Sequence, residues 1–149
     1  MKKIAKSLLR LFGIIALVTL LTVSIQLFTQ GMWLWGLPSL DEVQSVSLSY
    51  PSVTDTVKEV SEPEDMELAL KLTGFLKYDL FEKADTNDEP LISITYHRTD
   101  GTEQTVSANR TTVWWQGKAY ALKEKDMFVN LTEGLFFLED LQENETAKK

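Results

Sequence analysis

Between Leu11 and Leu40 the chain carries no ionisable side chain, and this gap limits what the sequence can fold into more than any other feature. Four basic residues, Lys2, Lys3, Lys6 and Arg10, precede it, and the first acid is Asp41. A transmembrane helix needs about 20 mostly apolar residues to cross about 30 Å of hydrocarbon at about 1.5 Å per residue. Leu8 to Phe28 supplies that length, and its few Thr and Ser hydroxyls can bond back to helix carbonyls. Gln26 and Gln30 come late, where the helix reaches the far headgroups, and Trp33 and Trp35 follow as an interfacial aromatic pair. Because the basic flank comes first, the positive-inside rule places the N-terminus in the cytoplasm and the chain beyond about residue 36 outside it. A cleaved signal peptide shares the basic start and the apolar stretch. Ser24-Ile25-Gln26 and Thr29-Gln30-Gly31 are poor cleavage sites, however, and Trp33 and Trp35 would be odd just past a cut. The expectation is an uncleaved single-pass anchor in a cell membrane, with secretion after cleavage as the alternative.

Beyond the anchor the charge reverses. The 149 residues have a net charge of -7, but residues 41–149 hold 11 basic against 22 acidic groups and so carry -11. That acidity argues against nucleic acid, whose binding rests on phosphate neutralisation by Lys and Arg. With no cysteine, the chain has no disulfide framework, zinc ribbon, thiol nucleophile or lipidated cysteine. Its single histidine cannot build a multi-histidine metal site within one copy, and no cofactor is expected.

The organisation read from the chain is a basic tip (1–10), an anchor with its interfacial segment (11–35), a Gly/Pro/Ser linker (36–42), an exported domain (43–141) and a disordered tail (142–149). In the domain, Ser45 to Tyr50 alternates small polar with apolar residues, which predicts a strand with one wet face. Thr54 to Val60 returns as a weaker strand. Ser61-Glu62-Pro63-Glu64 reads as a capping box opening a helix from Pro63 to about Leu76, with Met66, Ala69, Leu70, Thr73 and Leu76 inward. Lys77 to Ala84 is ambiguous. Strands are predicted over Leu91–His97, Thr102–Ser107, Thr111–Trp115 and Lys118–Leu122, joined by turns at Asp100-Gly101, Ala108-Asn109-Arg110 and Gln116-Gly117. One amphipathic helix from Lys125 to about Leu141 follows, with Phe128, Leu131, Leu135, Leu138 and Leu141 near one face. The predicted class is α+β: a transmembrane helix, then a small domain with an antiparallel meander sheet and two helices packed on one face.

Few residues invite chemistry. His97, at a strand end, can act as a base beside Asp79 or Asp100, but no nucleophile motif accompanies it. Asp85, Asn87 and Glu89 have the opening spacing of a calcium loop, which fails at Pro90 and Tyr96. No catalytic or metal-binding residue is assigned. Trp114-Trp115 is the most informative pair, since adjacent strand residues face opposite ways and one indole must lie on the open face. If Tyr96 and Tyr120 share that face, the four form an aromatic platform for a sugar, a peptide or a partner surface.

The Val46-Ser47-Leu48 opening strand, the capped helix after Ser61, and the run Trp115 to Leu122 leading into the Phe128 helix carry a resemblance. Over residues 43–138 the layout resembles small bacterial membrane-tethered proteins, common in Gram-positive lineages, whose extracytoplasmic domain is of unknown function. The resemblance implies location and supplies no catalytic residues. The expected role is a non-enzymatic membrane protein whose outer domain binds a ligand or an envelope protein, as a sensor or accessory module. The alternative is an acidic inhibitory or structural partner of an envelope enzyme, and a hydrolase ranks below both.

Overall fold

The computed structural model describes residues 2–147. Helix α1 (Lys2–Gln30) projects as a single rod, and its stretch Lys6–Gln30 is long and apolar enough to cross a membrane. The hydroxyls of Thr19, Thr22, Ser24 and Thr29 donate to carbonyls four residues back at 2.8–2.9 Å, so they need no water along the rod.

An eight-stranded, wholly antiparallel sheet follows. Its strands are β1 (Met32–Trp33), β2 (Val43–Ser49), β3 (Lys58–Val60), β4 (Lys77–Asp79), β5 (Ile92–Arg98), β6 (Glu103–Ala108), β7 (Thr112–Trp115) and β8 (Lys118–Leu122). In space they run β1-β4-β8-β7-β6-β5-β2-β3. The predicted meander is thus β5 to β8, and the N-terminal hairpin joins it because β2 pairs with β5. Lys77–Asp79, ambiguous in the sequence, becomes a bridge between β8 and β1. Gln116 and Gly117 both have positive φ (49° and 74°), which matches the twist a two-residue hairpin turn requires.

Helices α2 (Pro63–Gly74), α3 (Met127–Phe136) and α4 (Leu138–Ala147) complete the chain. The core lies where α2 and α3 cover one sheet face: Val46, Leu48, Ile92, Ile94, Tyr96, Val106 and Val113 meet Met66, Ala69, Leu72, Phe128, Val129 and Phe137. The α+β class with helices on one face is as the sequence predicts.

Several local expectations change. Glu62, not Ser61, precedes α2 and makes no side-chain cap, while the capping box forms at Ser39 and Glu42 around a short 3-10 turn, Leu40–Glu42. The single C-terminal helix breaks at Phe137, whose ring packs edge-on against Tyr50 at 5.5 Å and holds the chain to the core. Of the expected stripe Phe128 is buried, whereas Leu131 and Leu135 within α3 and Leu138 after the break are exposed, and Val129 and Thr132 face inward instead. Residues 142–147 are helical in α4 rather than a disordered tail, and residues 148–149 lie outside the described residues.

The expected linker is also replaced by packing. Leu34 and Pro38 are buried, Leu37 packs against the core, and Trp33 lies in β1 opposite Lys77, whose ammonium sits 5.0 Å from the indole. Only Gly31 separates α1 from β1. It has φ +74°, and a Cβ there would stand 2.7 Å from the Tyr78 carbonyl oxygen, so glycine is required. The last turn of α1 contains no basic residue, and Lys123 from beyond β8 supplies one: its Nζ donates to the Phe28 carbonyl at 3.0 Å and to Asp79 at 2.7 Å. A cation at a helix C-terminus satisfies an orphan carbonyl and opposes the negative dipole end.

Candidate binding face

Strand pairing sorts the second sheet face into rows. Ser49, Ser93, Ser107, Trp114 and Ala119 form one; Glu59, Ser47, Thr95 and Thr105 the next; Ser45, His97 and Glu103 the third. Helices α2 and α3 pack on the opposite face. The polar groups of the rows bond across strands: Ser93 to Ser107 at 2.8 Å and Thr95 to Thr105 at 2.9 Å. The face is therefore rich in hydroxyls and internally paired, and it carries one indole, half-buried Trp114, opposite small Ala119. Over β7 the loop between β4 and β5 folds onto this face, where buried Thr112 donates through Oγ1 to the Asp85 carbonyl at 2.8 Å.

The four aromatic residues singled out from the sequence are not brought together. Tyr96 is fully buried on the helix side, where its hydroxyl donates to the Ala69 carbonyl at 2.9 Å and lies 2.7 Å from Thr73 Oγ1. Burial pushes its phenol pKa well above the usual range, so it stays a donor. Trp115 is buried on the same side, and its Nε1 donates to the Trp35 carbonyl at 2.8 Å. Tyr120 is half-buried there, 4.4 Å from the Tyr78 ring. Only Trp114 lies on the open face. The reason is parity: the register sets Tyr96 opposite Val46, and Tyr120 opposite Val113, in the core rows.

The open face assembles something the sequence reading missed. Ser47 Oγ lies 2.6 Å from His97 Nε2, and His97 Nδ1 lies 3.0 Å from Glu103 Oε1. The sequence reading paired His97 with Asp79 or Asp100. Asp79 instead holds Lys123, and Asp100 accepts from Thr102 and lies beside Arg98. Those bonds hold both carboxyls below the usual range, with the Lys123 bond the largest cause for Asp79 and the Thr102 hydroxyl bond for Asp100. Hydroxyl, imidazole and carboxylate thus stand in the order that a proton relay uses. The neighbouring backbone of Ser47 is paired to β3 on one side and β5 on the other, so its amides are committed to the ladders rather than aimed at a developing oxyanion. Among the described residues no group of three or more His, Cys, Asp or Glu is arranged to hold a metal ion. Asp85 in the failed calcium loop accepts from Asn87 through its backbone and side-chain nitrogens.

A concavity lies at one end of the sheet, where three loops converge. It is an open cleft of about 630 Å³ lined by residues that include Pro51, Asp88, Leu91, Asn109 and Arg110. Arg110 is held on its rim by Asp126 and Asn130 at 3.1 and 3.2 Å.

No family model, curated protein or solved structure matches the chain.

Proposed function

We propose that this is a non-enzymatic, membrane-anchored binding module, its N-terminus cytoplasmic, that presents the open β2–β5–β6–β7 face to a protein or glycan partner outside the cell membrane. The observation that carries this reading is the face opposite α2 and α3, on which Ser47, Thr95 and Thr105 remain at least partly exposed. Its hydroxyls are satisfied among themselves, so desolvating them on contact leaves few orphaned groups, while Trp114 offers apolar area on the β7 side. An open sheet face with one aromatic anchor suits a protein or a sugar strand better than a small molecule, which needs enclosure. The test is a photo-crosslinking residue at position 114 in the full chain in native membranes. A discrete adduct that is absent with the same residue at Glu64, on the exposed start of α2, supports the reading; equal, diffuse labelling at both positions overturns it.

A hydrolytic reading comes second, favoured by the Ser47–His97–Glu103 relay alone. It predicts that a fluorophosphonate labels the protein and that Ser47→Ala abolishes the label. An unlabelled protein removes it.

A further inference from the structure

We propose that the loop after β4, Leu80-Phe81, is a second membrane contact, which seats the outer domain on the surface of the bilayer that α1 crosses. The proposal rests on the reading of α1 as a transmembrane helix. Phe81 is 67% exposed and Leu80 44%, although an acidic domain gains nothing by holding a phenyl ring in water. The ring does have one neighbour from α1: Phe28, at 5.5 Å between centroids. If Leu8 to Phe28 fills the hydrocarbon, about 21 residues at about 1.5 Å each, then Phe28 stands at its outer boundary. The headgroup layer is only about 5–8 Å thick on each side. A residue in contact with Phe28 is therefore inside it.

The junction leaves no slack to avoid this. Gly31 alone links α1 to β1, and Lys123 bonds both the end of α1 and Asp79, two residues before Phe81. The loop is shaped as well as placed, since the Asp79 carboxylate accepts from the Phe81 backbone at 2.8 Å and turns the two apolar residues outward. Trp33, 53% exposed on β1, adds an indole of the kind that favours the interface. Lys77 and Lys83 flank Leu80-Phe81 along the chain, although the domain as a whole is strongly acidic, while Lys123 and Lys125 are paired with Asp79 and Glu82. The ammonium groups of Lys77 and Lys83 match lipid phosphates. The occupant of this surface is therefore the outer leaflet.

The natural chain lacks cysteine, so a single introduced one reports unambiguously. Full-length Phe28→Cys, Phe81→Cys, Leu80→Cys and Thr99→Cys variants would each carry an environment-sensitive fluorophore. They would be reconstituted in phosphatidylcholine/phosphatidylglycerol vesicles, with quenchers attached at a shallow or a deep acyl position. The proposal predicts blue-shifted emission at positions 28 and 81, both quenched more by the shallow group, with Leu80 agreeing and Thr99, in the turn between β5 and β6, quenched by neither. Quenching at 28 with aqueous emission at 80 and 81 overturns the docking and leaves the transmembrane reading intact. An unquenched 28 overturns both. Circular dichroism matching the unsubstituted chain confirms that each labelled variant is folded.

Discussion

Tyr96 shows how one side chain can combine a core function with a polar one. Its ring fills the space between β5 and α2, and its hydroxyl reaches the Ala69 carbonyl and Thr73 inside a helix, which fixes the helix against the sheet. Tyr96→Phe keeps the ring and removes the donor. A loss of about 1 kcal/mol is expected, and unchanged thermal unfolding would show that the bond contributes nothing net. The tryptophan pair gives a sharper contrast. Trp115→Ala should cost about 3–5 kcal/mol, since it empties a buried site and frees the Trp35 carbonyl, whereas Trp114→Ala should cost about 1 kcal/mol or less. Equal losses would contradict the assignment of the two indoles to opposite faces. Alternation within β7 is legible in the sequence, but which neighbours share a face is not, because that depends on cross-strand register. The same limit hid Ser47 and Glu103 from His97: they lie 50 positions before it and six after, and only the pairing of β2, β5 and β6 joins them.

Among the elements, those with strong local chemistry were read from the sequence almost to the residue. The turns at Asp100-Gly101 and Gln116-Gly117 fix β5 to β8, and β8 runs over the predicted Lys118–Leu122. Elements that depend on distant packing were not legible. Residues 77–79 form a strand only because β8 and β1 flank them, and the C-terminal helix breaks because Phe137 is drawn onto Tyr50. At the joint between α1 and the sheet, two outcomes follow. Gly31→Ala must place a Cβ against the Tyr78 carbonyl at positive φ, and should destabilise the outer domain by about 1–3 kcal/mol. Thermal unfolding of the full chain in detergent checks it, and an unaltered midpoint would mean the joint adapts freely. The second outcome concerns acid. Asp79 has its folded pKa lowered, first by the Lys123 hydrogen bond and then by the Phe81 amide. Its contribution is thus present above the ordinary carboxylate range and lost as pH falls through the lowered value. Asp41, Glu42 and Asp100 are lowered as well, so Asp79→Asn should shrink the acid limb of the stability profile without abolishing it. Parallel limbs in the two proteins would contradict a stabilising Asp79–Lys123 bond.

For the molecule as a whole, the charge division is the organising fact. A basic tip, an uncharged rod and an acidic domain are three parts suited to three environments, and the fold joins the second to the third through one glycine and a lysine bridge. If α1 crosses the membrane, such a joint sets the domain's position relative to the bilayer and so the distance of the open face from its surface. The central claim is that α1 crosses the membrane, is retained, and carries the sheet outside. Labelling of intact cells with a membrane-impermeant maleimide measures it directly, using Ser7→Cys at the tip and Thr99→Cys in the sheet. The account predicts a band at the full 17.0 kDa labelled through position 99, and labelling at position 7 only after the cells are opened. A shortened chain, or labelling of position 7 in intact cells, would contradict it.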